Sequence, residues 1–158
     1  MRPRSQKRYS LDSNVLIAAW RDFYPPEAFG SFWDRLAELA SERRALISEE
    51  VYEELGRKED GLHDWFEERQ GCVVPDTDDV QAAVTRILKS HPQLIKARKN
   101  RSGADPFVIA VAICEQCSVV THEGSGSDQT PKIPDVCRAY NVPFQVLSQL
   151  IRDEGWKF

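Results

Sequence analysis

RYSLDSNVLIAAW, residues Arg8 to Trp20, puts an acid where a strand pattern gives way to a helix pattern. Tyr9 and Leu11 alternate with polar Ser10, as in a strand with one inward face, and Val15, Leu16, Ala18 and Ala19 follow at helical spacing. Ser13 and Asn14 are good helix-capping residues at the junction. Asp12 therefore sits at the carboxyl end of a strand, where open parallel sheets bind their ligands. Taken alone, the stretch leaves two roles open for Asp12, ligand or helix cap.

Further along, the same alternation repeats. Pro25 and Pro26 open a helix expected over Glu27 to Glu42, with Phe29, Phe32, Trp33, Leu36, Leu39 and Ala40 on one stripe. Ala45 to Ile47 reads as a strand, and Ser48 caps a helix carrying Val51, Tyr52 and Leu55 inward and ending near Gly56. A short helix spans Gly61 to Gln70, and Cys72 to Pro75 reads as a strand or extended connection. Asp76, Thr77 and Asp78 offer caps for a helix that Pro92 interrupts. PFVIAVAICEQC, residues 106–117, is apolar nearly all round and so central, with Asp105 at its start. Ser118 to Thr121 forms a strand followed by His122 and Glu123, then a Gly- and Ser-rich loop to Thr130. A helix over Ile133 to Tyr140, a strand over Phe144 to Leu147 and a closing helix over Ser148 to Asp153 complete the chain. Strands alternating with helices predict an α/β fold, a three-layer α/β/α sandwich around a central parallel sheet.

Composition narrows the class. The 158 residues are expected to form one domain, with 1–7 frayed, and no apolar run reaches the length of a membrane span. The basic start leads into a strand and not an apolar signal core, so the expectation is a cytoplasmic protein. A net charge of −4 disfavours a broad nucleic-acid face and leaves room for a local one. Lys96, Arg98, Lys99 and Arg101 form the densest basic run beyond the N-terminus, either a solvated face or an RNA track. Cys114 and Cys117 have zinc-knuckle or redox spacing, but no second such pair accompanies them, so the four cysteines read as buried reduced thiols.

Asp12, Asp105 and Glu123 would converge at one end of such a sheet. Crowded carboxylates cost several kcal/mol each to bury unless a cation neutralises them. Oxygen ligands with retained water suit magnesium or manganese, and carboxylate-held ions of this kind hydrolyse phosphodiesters.

Four pieces, LDSNVLI with Asp12, SEEVYEEL with Glu54, GADPFVIAVA with Asp105 and VVTHE with Glu123, occur in the order seen in PIN-domain proteins. The chain resembles the VapC-type toxin ribonucleases, and more closely a PIN-like family of the DUF4411 type, to which KIPDVC and the terminal GWKF are also similar. The resemblance implies an endoribonuclease using magnesium or manganese, the toxin of a toxin–antitoxin pair, with RNA as substrate, an antitoxin partner and a homodimeric state. It implies Asp12, Glu54, Asp105 and Glu123 as metal ligands and catalytic residues, with Ser13, Asn14 and Thr121 supporting them. Glu123 stands where many PIN nucleases have Asp or Asn. Glu50, one turn before Glu54, is the reserve ligand, with Asp128 and Asp135 behind it. Three other readings are a PIN-like domain that has lost catalysis and binds RNA or protein, a receiver-like phosphoacceptor, and a structural domain. The receiver would need a lysine at the end of a late strand, and SVVTH supplies none.

Overall fold

The computed structural model describes residues 6–58, 60–96, 103–124, 126–127 and 131–158. Strand β1 (Tyr9–Leu11) leads into α1 (Ser13–Ala18), which widens into a π-helical turn over Ala19–Phe23 closed by Tyr24 N–H donating to Ala19 O at 2.7 Å. After α2 (Gly30–Ser41) come β2 (Ala45–Ser48), α3 (Glu49–Gly56) and α4 (Leu62–Glu67). Next are β3 (Val73–Val74), α5 (Asp78–Ser90), α6 (Gln93–Lys96) and α7 (Asp105–Glu115). The last elements are β4 (Ser118–Val120), α8 (Ile133–Ala139), β5 (Phe144–Gln145) and α9 (Leu147–Glu154).

All five strands run parallel in the order β3-β2-β1-β4-β5. The chain winds outward from β1 through β2 to β3, then returns to lay β4 on the other side of β1, so the winding reverses between β1 and β4. At such a reversal the loops leaving the two strands diverge and open a crevice. Asp12 leaves β1 there, and Thr121 leaves β4.

Two hydrogen bonds show that both faces of β1 are covered. Ser10 Oγ donates to Val108 O of α7 at 2.8 Å on one face, and Tyr9 Oη donates to Glu154 Oε2 of α9 at 2.6 Å on the other. Ser10 is therefore as buried as Tyr9 and Leu11, and the alternation in the sequence separates two buried faces, not core from solvent. α7 is buried at Val108, Ile109, Ala110, Val111 and Ala112, which is why it is apolar all round. Ser48 and Thr77 cap their helices, accepting from Val51 N–H at 3.1 Å and Val80 N–H at 3.3 Å.

Three expectations are corrected. The helix expected from Glu27 starts at Gly30, because Pro25 O accepts from both Ala28 and Phe29 N–H and closes a separate turn. Phe29 thus lies outside the helix and is partly exposed, not in the core stripe. Cys72, Cys117 and Cys137 are buried free thiols, while Cys114 is exposed near the end of α7.

Candidate metal centre at the carboxyl end of the sheet

Asp12 is 1% exposed and takes the first capping position of α1 with an extended backbone, yet its side chain makes no cap hydrogen bond. Thr121 Oγ1 donates to Asp12 Oδ2 at 3.0 Å, and the same hydroxyl accepts from Glu123 N–H at 3.1 Å. Asp12 Oδ1 is buried with no hydrogen-bond partner. Burying an acceptor this way costs free energy that nothing in the protein returns. Burial first, and the Glu123 carboxylate second, push Asp12 up to about 6, with Glu54 adding a smaller like-charge effect. The Thr121 hydroxyl and the Asn14 N–H act in the opposite direction. A hard divalent cation beside Oδ1 would satisfy the orphaned oxygen and reverse the repulsion, so the residues present fit such an ion.

The other acids come from neighbouring elements. Glu54, on α3, accepts from Ser13 Oγ at 2.7 Å, so the Ser13 hydroxyl steadies Glu54 while Thr121 steadies Asp12. Asp105 is 7% exposed in the first turn of α7. Three residues separate it from Val108, or about 4.5 Å along the helix, and two separate Asp12 from Ser10, or about 6.6 Å along the strand. The Ser10–Val108 bond therefore sets both acids toward the carboxyl end of the strands. Glu123 Oε2 accepts from Ile133 N–H at 3.2 Å, which ties this acid to the start of α8.

The reserve positions lie elsewhere. Asp135 Oδ2 accepts from Lys132 N–H at 2.8 Å and Gly126 N–H at 2.6 Å, closing a capping box on α8. Asp128 lies outside the described residues, as do Arg98, Lys99, Arg101 and the side chain of Lys96. Among the described residues, the group whose possible ligand atoms all lie within 4.8 Å of one another is His63, Asp64 and Glu67, on the exposed side of α4. The acids around Asp12 are spaced more openly than that.

One pair escaped the sequence reading. Glu50 Oε1 and Asp76 Oδ1 are both buried without a hydrogen-bond partner, and the Asp76 carboxyl is the neighbour that acts most strongly on Glu50. Burial first, then the neighbouring Asp76 carboxyl, push Glu50 up to about 8 from an ordinary 4.5. A raised acid contributes stability that is fully present below its ordinary value and lost as the pH climbs through the folded one. Glu50→Gln places a neutral hydrogen-bond donor beside Asp76 at any pH. Its stability relative to the parent should grow by about 1–2 kcal/mol between pH 5 and pH 9 in urea unfolding, the full shift being reduced by solvent at this half-exposed pair. A pH-independent difference would show that Glu50 does not titrate in this range. Asp76 reads in the sequence only as one of three possible caps, so nothing there signals the pairing.

The five-stranded parallel sheet with its covering helices is a PIN-like α/β/α sandwich. Eight chains of solved structures resemble it significantly. One is a chain of the VapBC2 complex from Rickettsia felis bound to a DNA fragment from their promoter, with 16% identity, a TM-score of 0.54, and coverage of 87% of this chain and 97% of that one. The model of a family described as a domain of unknown function, DUF4411, matches residues 9–158, and the chain belongs to that family. Comparison with curated proteins finds no significant relative.

Proposed function

We propose that this protein is a metal-dependent endoribonuclease, the toxin of a toxin–antitoxin pair. The observation that carries the proposal is the buried, unpartnered Oδ1 of Asp12 at the reversal point of the sheet, with Glu54 and Glu123 close enough to raise its pKa. Magnesium or manganese held there would supply an activated water and neutralise charge on the scissile phosphate.

The chain's own residues do the rest. Asp12 offers Oδ1 while Thr121 fixes Oδ2, so the carboxylate cannot rotate away. Glu54 is held by Ser13, and the Asn14 backbone N–H lies close enough to Asp12 to lower its pKa without making a cap hydrogen bond. Asp105 contributes its carboxylate from the first turn of α7. Glu123 supports the site through the Thr121 hydroxyl and anchors the α8 side of the crevice. The likeness to a chain of VapBC2 supports an antitoxin as partner. A homodimer and a cytoplasmic location belong to the same proposal, and no helix among the described residues is long and apolar enough to cross a membrane.

Incubation of purified protein with a mixed RNA pool, with and without manganese, tests this reading. Manganese-dependent cleavage is expected, falling by orders of magnitude in Asp105→Asn, because Asn preserves the start of the helix and removes the ligand charge. Cleavage unaffected by Asp105→Asn, or no cleavage by folded protein with manganese, would reject it. Manganese binding without cleavage would instead indicate a PIN-like domain that has lost catalysis.

A further inference from the structure

Next to the carboxylates lies a corner that they do not use. Phe23 ends the π-helical turn and is 57% exposed, although it is a large apolar ring. Its ring meets the His122 imidazole edge to face, with centroids 6.2 Å apart and planes at 83°. These two rings, with Tyr24, Leu147 and Ser148, line an open cavity of about 190 Å³. His122 leaves the chain between Thr121, which holds Asp12, and Glu123. The corner is therefore one residue from the candidate metal centre on the β4 side.

We propose that this corner is a nucleobase subsite, in which a base flanking the scissile phosphate of single-stranded RNA stacks on Phe23 and turns its edge toward His122 and Ser148. The proposal rests on the ribonuclease reading above and gives its substrate a strand state.

Several observations favour a base over other occupants. The cavity falls below the roughly 300 Å³ at which pockets for drug-sized ligands begin, and so suits one planar ring system. Its floor is apolar at Leu147, while His122 and Ser148 bring polar atoms to the rim, as a base needs for its face and its edge. A partner helix would require a groove with apolar anchors at successive turns, and this is a single corner. Exposed aromatic rings beside a phosphate-handling site are the common device for holding unpaired bases, since every base has a face to stack. The π-helical turn supplies the geometry. By adding a residue to the last turn, it changes the direction in which Phe23 leaves the helix, and such turns recur at functional positions.

Equilibrium binding of an end-labelled, mixed-sequence single-stranded RNA, with calcium as the divalent ion, tests the subsite. Three ligands are compared: the single strand, the same RNA as a duplex, and an abasic strand of equal length. Phe23→Ala should weaken single-strand binding on the order of tenfold, within the range of about 5- to 150-fold that one stacked base spans. Duplex and abasic binding should be unchanged, and Phe23→Trp, which keeps a ring, should stay near the parent. Because Phe23 is exposed, Phe23→Ala is expected to fold, and its melting curve checks that. Equal affinity of parent and Phe23→Ala for the single strand overturns the subsite and leaves the face to a protein partner. Equal weakening toward all three ligands overturns it too, since the loss would not involve a base. Manganese-dependent cleavage by the parent, measured alongside, separates the two readings. A parent that cleaves RNA while Phe23→Ala binds normally refutes the subsite alone, and a parent that neither binds nor cleaves refutes both.

Discussion

Asp12→Asn is expected to melt at a higher temperature than the parent when both are free of metal, and to lose most of the stabilisation that manganese gives the parent. The first effect follows from burial. Asp12 carries its charge 1% exposed with one oxygen unpartnered, and its folded pKa of about 6 lies roughly two units above the ordinary 3.8. Its contribution to stability is complete below that ordinary value and lost as the pH rises through 6, so at pH 7.5 the charged form costs up to about 3 kcal/mol. Asn removes the charge and still offers Thr121 an oxygen. For a chain of this length the gain corresponds to roughly 5–10 °C in the melting temperature. The second effect follows from linkage, since manganese at a hundred times its dissociation constant adds about 2.7 kcal/mol to a fold that binds it and nothing to one that does not. Differential scanning calorimetry with and without manganese reads both. A metal-free variant less stable than the parent would assign Asp12 a structural role, and equal manganese shifts in the two proteins would remove it from the metal site.

The other large effect lies away from the site and bears on the strand that carries Asp12. Glu154 Oε2 accepts from Tyr9 Oη and from Arg44 Nη2, each at 2.6 Å, with the Arg44 and Glu154 side chains 12% and 11% exposed. Glu154→Ala removes the acceptor that the Tyr9 phenol and Arg44 Nη2 share in a largely dry environment, while Arg44 keeps Lys7 O and Glu42. About 3 kcal/mol of stability should be lost, the lower end for breaking a buried pair because water still reaches this one. Glu154→Gln keeps an acceptor and should cost less. Urea unfolding should show the midpoint fall with little change in slope. A loss below about 0.5 kcal/mol would mean that α9 is held by its other contacts, the Lys7–Asp153 pair among them.

The parallel sheet was legible because its signals are local and repeated: short apolar strands, each followed by a capping residue and a helix pattern. Asp12, Asp105 and Glu123 were expected at one end of the sheet because each stands just past a strand end or at a helix start. Who bonds whom was not legible, since that depends on side chains brought together from distant segments. Ser13 follows Asp12 in the chain, yet its hydroxyl reaches Glu54, and the residue that grips Asp12 is Thr121, more than a hundred positions away. Glu50 and Asp76 meet because β2 and β3 are neighbours, while the sequence offers only two acids near two helix starts. The π-helical turn at Ala19–Phe23 is equally silent, because AWRDF suits an α-helix as well. Phe29 shows the opposite failure: its spacing fits the stripe of α2, but Pro25 and Pro26 use the preceding residues for a turn.

The central claim is that the carboxylates at the reversal point of the sheet hold a divalent ion. Crystals of the parent soaked in manganese and measured for anomalous scattering would test it most directly. The account predicts a strong peak at direct coordination distance from Asp12 Oδ1, shared with at least one of Glu54, Asp105 and Glu123. A peak at His63, Asp64 and Glu67 with none beside Asp12 would contradict it.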